Sequence, residues 1–299
     1  MNATRHNTVK IGGGGLAGMV AGLELVKRQV NVRLFESTGR FGGKAGSYDN
    51  PPIYNARGEL DASLRLPDGV ESDHGYHDFP KWYTNMRHLW REIGIGTPDV
   101  YEGRVYLDLL PAENGKRVPF KIEPPPNFKQ VLSICDLVIQ SDNLVVDLTL
   151  EGFLHSRDYH HPELPLTLTE FILNALTLGD EDISSRAARD TFRQWLPVCA
   201  QANWDALRGS LDENLIRRLQ NAIIKAAEKS GVQYEWFLNH RMIDLSVKDL
   251  KHAQITIEGP RDCFVVSDGL ILLTIPQEVL RMFCNGVLYD RLPELSKLN

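Results

Sequence analysis

Residues 9–36, VKIGGGGLAGMVAGLELVKRQVNVRLFE, read as a strand, a glycine-rich turn, an amphipathic helix and a second strand that ends on an acid. That order confines the start of the chain to a β-α-β unit with its turn beneath the helix N-terminus. Ile11 is expected to end the first strand, with Gly12 adding a fourth glycine to the turn. Gly13, Gly15 and Gly18 supply G-x-G-x-x-G, and Glu36 lies eighteen residues past the last of them. Gly13 permits the tight turn, Gly15 lets a pyrophosphate approach the backbone, and Gly18 lets the helix pack closely. The first-turn amides, at Leu16 and Ala17, point at the phosphates. Glu36 is placed to accept hydrogen bonds from ribose hydroxyls and to repel a 2′-phosphate. The unit therefore reads as a dinucleotide site.

Composition narrows the class further. The chain has 299 residues, enough for a sizeable core and one to two domains, and 42% are hydrophobic. A net charge of −6 gives no reason to expect a nucleic-acid partner. The polar start, MNATRHNT, shows no signal-peptide pattern, and no apolar run of about 18 residues appears, so a cytoplasmic location is expected. Cys135, Cys199, Cys263 and Cys284 are scattered and form no C-x-x-C, so neither a disulfide set nor a metal site is expected. The histidines of HSRDYHH (His155, His160, His161) lack a completing ligand set and read as a polar loop. No Ser-His-Asp set or paired carboxylates stand at a defensible spacing.

After Glu36 the chain continues STGRFGGKAGS, with Arg40 just before the pair Gly42–Gly43. Further on, DHGYHDFP precedes an amphipathic pattern in which Trp82, Met86, Leu89, Trp90 and Ile93 share a face. These two blocks, together with the G-x-G-x-x-G, resemble FAD-dependent oxidoreductases of the amine oxidase and phytoene (carotenoid) desaturase-like superfamily. The resemblance implies FAD as cofactor. It implies that Arg40 neutralises phosphate charge, that Gly42 and Gly43 approach the cofactor, and that Ser37 and Lys44 belong to the same contact set. His74 and His77 match the D/E-H-G-x-H stretch and would be flavin-pocket residues, with the flavin itself doing the chemistry. Met242, on a strand after the helix LIRRLQNAIIKAAEK, would contact the adenine ring through its backbone. Thr274 and Pro276 match a T/A-x-P turn at the end of the strand Leu270–Ile275, a run that a buried central strand explains equally well.

The resemblance also implies the organisation. A discontinuous, Rossmann-like α/β FAD-binding domain with a central parallel sheet would take residues 1–100 and 209–280. A partly helical substrate-domain insertion would take 101–208, and 281–299 would begin a truncated C-terminal region. Family members close with an A-G-D-type motif that this sequence does not show. The L-G-D at Leu178–Asp180 reads as a loop. The expectations are therefore half of a split enzyme completed by a partner chain, a truncated relative, or the product of a broken frame. The expected activity is flavin-mediated hydride abstraction from an activated C–H of a hydrophobic small molecule, as in polyene desaturases. An amine oxidase-type flavoenzyme and a non-catalytic FAD-binding subunit stand as alternatives. An NAD-dependent dehydrogenase leaves both later blocks unexplained. Peripheral membrane contact stays open, since relatives that act on polyenes take substrate from the bilayer surface. The basic amphipathic helix at 215–229 suits such a surface, although core packing is its expected role.

Overall fold

A computed structural model describes residues 8–49, 71–73, 77–81, 83–101, 128–145, 148–159, 182–195, 197, 204–249, 252–267, 269–283, 288 and 290. In chain order the first elements are β1 (Thr8–Gly12), α1 (Leu16–Lys27), β2 (Asn31–Phe35), β3 (Tyr48–Asp49) and β4 (Glu71–Ser72). Next come β5 (Asp78–Pro80), α2 (Thr84–Glu92) and β6 (Val100–Tyr101). Helices α3 (Phe128–Ile139), α4 (Asp142–Val145), α5 (Leu150–Ser156) and α6 (Ser185–Trp195) follow, then β7 (Trp204–Leu207) and α7 (Arg217–Ser230). The chain continues with β8 (Tyr234–Phe237), β9 (Arg241–Asp249), β10 (His252–Glu258), β11 (Cys263–Val266), β12 (Leu270–Leu273) and α8 (Gln277–Phe283). Two compact units result. The first comprises Met1–Asp78, Asn85–Tyr101 and Ala206–Asn299, and the second Phe79–Thr84 and Glu102–Asp205.

The first unit is built on a parallel sheet of order β12-β1-β2-β8. Val9, Ile11 and Gly12 pair with Val32, Leu34 and Phe35 on one side and with Leu270, Leu272 and Leu273 on the other. Side chains alternate across a strand, so Ile11 and Phe35 serve opposite faces. On one face lies α1, which buries Met19, Leu23 and Val26, and α1 packs against α7. The spacing of Leu219, Ile223 and Ala227 gives α7 one apolar stripe, all three buried as the sequence pattern predicts. The α7 stripe thus lies in the core, as expected of a helix packed on a sheet. Gly231 ends the helix in the left-handed conformation, at φ +66°.

The other face carries the antiparallel sheet β11-β10-β9. Ile255, Ile257, Leu245 and Met242 cluster there with Phe35 and with the partly buried Phe237, Ile271 and Leu273. The architecture is therefore helices, parallel sheet, antiparallel sheet. It is Rossmann-like, although a doubly wound sheet would carry helices on both faces.

The structure corrects two expectations. The first strand runs through Gly12, which pairs with both Phe35 and Leu273, so the turn begins at Gly13. The run at 270–273 is not a buried centre: among the described residues β12 has β1 as its neighbour, and Leu270 is 72% exposed. Only its alternate residues, Ile271 and Leu273, reach the core.

The second unit has its own core of Leu137, Val145, Leu150, Phe153, Leu154, Ile183, Ala188 and Phe192. Thr149 caps α5 by accepting the Gly152 N–H at 3.0 Å. Arg189 is buried among these helices, and its guanidinium donates to the Gln140 carbonyl at 3.1 Å, Asp142 at 2.6 Å and Asp190 at 2.8 Å. Those acceptors offset the cost of removing the charge from water. Arg189 in turn holds the Asp142 carboxyl below its ordinary range. Helices α3 to α6 fall within 101–208, the stretch read as partly helical, and β7, at 204–207, was not anticipated. The L-G-D at 178–180 lies outside the described residues.

Candidate functional site

The glycine turn is shaped by what its missing side chains would meet. Gly13 has φ +110°, and a Cβ there would stand 3.0 Å from the Thr274 carbonyl oxygen and 3.0 Å from its hydroxyl. A Cβ on Gly18 would stand 2.0 Å from the Gly13 carbonyl oxygen, so α1 seats directly on the turn only because Gly18 has none. Gly15 differs: its nearest neighbours would be Gly43 Cα at 3.9 Å and the Gly42 carbonyl at 4.0 Å, which leaves room beside the backbone. Gly15 is also the N-cap of α1, with no side-chain cap and no acid in the first turn. Leu16 and Ala17 begin that turn, so the helix itself supplies no counter-charge for its amides and the positive end of its dipole. An anion placed beside Gly15 supplies one.

Glu36 lies at the end of β2, buried and held from both sides. Its Oε2 accepts the Gly14 N–H at 2.7 Å. Its Oε1 accepts the Thr38 N–H at 2.8 Å, the Thr38 hydroxyl at 2.8 Å and the Ser37 hydroxyl at 3.2 Å. A carboxylate has about four acceptor positions, so Oε2, with its single bond from Gly14, keeps one lone pair. The backbone around it is pinned by Asn239 N–H to the Thr38 carbonyl at 2.9 Å and His240 N–H to the Glu36 carbonyl at 2.8 Å.

The loop after Glu36 folds back onto the turn. Gly42 donates its N–H to the Gly14 carbonyl at 2.9 Å, and Gly15 and Gly42 form a parallel β-bridge. Gly42 and Gly43 both take positive φ, +99° and +57°. A Cβ on Gly43 would press on Gly15 Cα at 3.2 Å. Arg40 donates to the Ser47 carbonyl and lies over the Tyr48 ring, 3.6 Å from its centroid. Lys44 is exposed in the short 3-10 turn Gly43–Ala45. Sequence reading thus named residues that the fold brings together: Gly13, Gly15, Gly18, Glu36, Ser37, Gly42 and Gly43.

Thr274 adjoins the turn as well, and the other expected residues stand apart from it. Thr274 uses its hydroxyl on the chain itself, donating toward the Gly12 carbonyl at 3.1 Å and the Gly13 carbonyl at 3.0 Å. Met242 is buried between the two sheets, with its sulfur 3.9 Å from where a Gly12 Cβ would be. The residue of that segment that touches the acid's backbone is His240. His77 is half-buried, and its Nε2 has no hydrogen-bond partner among the described residues. His74 lies outside them.

Sequence reading missed Gly14, where a Cβ would meet Glu36 Cβ at 2.8 Å, and Thr38. A glycine at the first free position of G-x-G-x-x-G and a hydroxyl two residues past the acid were the available signals. Beneath α1, Tyr234 has a buried phenol that burial pushes up, so it stays neutral. Among the described residues no group of histidine, cysteine, aspartate or glutamate side chains could hold a metal. Nor is any described helix long and apolar enough to cross a membrane.

This geometry defines a Rossmann-type dinucleotide-binding fold. The family profile described as NAD(P)-binding Rossmann-like domain matches residues 11–93. Solved structures extend the likeness over nearly the whole chain. An oxidoreductase from Methanosarcina mazei is 14% identical, with a TM-score of 0.58 over 97% of this chain and 64% of that one. A putative protoporphyrinogen oxidase from Exiguobacterium sp. 255-15 is 18% identical, with a TM-score of 0.57 over 98% and 64%. Cyclohexylamine oxidase from Brevibacterium oxydans is 14% identical, with a TM-score of 0.59 over 93% and 60%. These likenesses are ones of fold, and the chain spans less than two thirds of each of those proteins. No curated protein sequence matches the chain significantly.

Proposed function

We propose that this chain binds FAD and serves a flavin-dependent oxidoreduction of a hydrophobic small molecule, most like a carotenoid desaturase. The observation that carries the reading is the closure of the R-x-G-G loop onto the G-x-G-x-x-G turn, backbone to backbone, at Gly42–Gly15. A dinucleotide turn alone needs no second glycine cradle, and this one lengthens the surface available to a pyrophosphate. Glu36 would hold the adenosine ribose, the α1 N-terminus and Arg40 would balance the phosphates, and the Gly42–Gly43 amides would lead toward the flavin. Bound there, FAD supplies hydride acceptance from an activated C–H or C–N bond. Half-buried His77, whose Nε2 has no partner among the described residues, is the polar group we assign to the flavin pocket.

A second reading, an amine oxidase-type flavoenzyme, is favoured by the shared fold with cyclohexylamine oxidase. The test is titration of the purified chain with FAD and, separately, with NAD+, followed by visible absorption and flavin fluorescence. Saturable FAD binding near one equivalent is the expected result. Binding of NAD+ alone would sink the proposal. With FAD bound, anaerobic bleaching by a polyene or by an amine separates the two readings. Binding without bleaching by either points to a non-catalytic subunit that acts with a partner chain.

A further inference from the structure

The acid that opens the D-H-G-Y-H block has a task in this structure that its neighbourhood in sequence does not announce. Asp73 Oδ1 accepts the Ser47 hydroxyl at 2.5 Å and the backbone N–H of Leu211 at 3.1 Å. Ser47 is itself buried, and its Oγ accepts the Asp212 N–H at 2.9 Å. Its carbonyl accepts from Arg40. Asp73 and Ser47 therefore cap the start of a π-helical turn, Asp212–Ile216, that leads into α7. The same turn presents Ile216, whose Cγ1 would lie 3.0 Å from a Cβ on Gly42. Arg217 closes the arrangement with Asp212 at 2.7 Å and Glu71 at 2.5 Å. Three separate stretches, 40–47, 71–73 and 211–217, are joined through Ser47, Asp73 and the Glu71–Arg217 pair.

From this juxtaposition we infer that Asp73 is a positioning residue for the cofactor loop. Acting through Ser47, it fixes the Ser47 carbonyl that aims the Arg40 guanidinium, and it seats Gly42 against the π-turn. The inference rests on the FAD reading, because it assigns Arg40 to the pyrophosphate. The consequence is selective. Ligands that carry a pyrophosphate should depend on Asp73, while a ligand that ends at the first phosphate should depend on Gly15, α1 and Glu36 alone.

The experiment compares ADP and AMP binding by calorimetry, with FAD titrated beside them, in the wild type, Asp73→Ala, Ser47→Ala and Asp73→Asn. Removing the Asp73 acceptor is expected to weaken ADP and FAD by about tenfold, as misaligning one charge-assisted phosphate contact does. AMP affinity should stay near the wild-type value. Ser47→Ala, which leaves Asp73 on the Leu211 N–H, should show the same split even if Asp73→Ala folds poorly. Asp73→Asn keeps an oxygen acceptor and should restore ADP binding. ADP affinity unchanged in both alanine variants overturns the inference. So does a parallel fall of AMP and ADP together with the melting temperature, which marks a purely structural contact. A wild type that binds none of the three ligands refutes the FAD reading itself, and the inference falls with it.

Discussion

At the scale of single residues, the glycines of the turn separate into two kinds, and the separation is measurable. Gly18 is excluded from carrying a side chain by the Gly13 carbonyl 2.0 Å away, whereas Gly15 has φ −70° and open space. Gly18→Ala is expected to cost about 3 kcal/mol through overpacking and to abolish dinucleotide binding with the fold's stability. Gly15→Ala is expected to stay within about 1 kcal/mol of wild type in urea unfolding, since alanine is only a poorer N-cap. Its dinucleotide affinity should nevertheless fall by at least about tenfold, because the methyl group occupies the anion's approach. Equal affinity in Gly15→Ala would remove that glycine from the site. The sequence motif already set Gly18 to close packing and Gly15 to a pyrophosphate's approach; the neighbouring atoms add the crowding at the first and the room at the second. Thr274 is the reverse case. Its place after an apolar strand was legible, but its hydroxyl is consumed by the Gly12 and Gly13 carbonyls, a contact set by a partner 261 residues away.

At the scale of elements, periodicity revealed most of what is regular. The β1-α1-β2 unit and the stripe of α7 follow from patterns of two and of three to four residues, which local sequence carries. The β9–β11 layer was less legible, because its alternation is interrupted by register shifts at His252/Ala253 and Thr256/Ile257. The link between α7 and the segment before β6 was not legible at all. Arg218 grips Asp99 through two bonds, at 2.6 and 3.0 Å, and Asp99 also accepts the Gly96 N–H at 3.0 Å. Hydrogen bonds from Arg218 and then from the Gly96 amide hold the Asp99 carboxyl below its ordinary range. A lowered folded pKa means that this contribution is complete above the unfolded value, about 3.9, and is lost as pH falls through the folded one. Asp99→Asn should therefore destabilise the protein by about 1 kcal/mol at neutral pH. The gap from wild type should close in acid, in unfolding curves recorded on both sides of that window. A gap that persists in strong acid would mean that packing, and not charge, holds the contact.

At the scale of the whole molecule, the two compact units each own a core, so damage in one should be readable apart from the other. Phe153 is 1% exposed at the centre of the second unit. Phe153→Ala is expected to cost about 3–5 kcal/mol there. Hydrogen exchange should then accelerate across helices α3 to α6, while ADP affinity, which the proposed site assigns to the first unit, stays at its wild-type value. A loss of ADP binding in that variant would show that the units unfold as one. The first unit is itself stitched from distant stretches. The turn at Gly13 meets Thr274 through the strand pairing of β1 with β12. During synthesis, then, the nucleotide fingerprint leaves the ribosome 261 residues ahead of the threonine that floors it. Until that threonine follows, β1 lacks the strand that pairs with it on that side, and the turn closes only through a contact of the longest sequence separation.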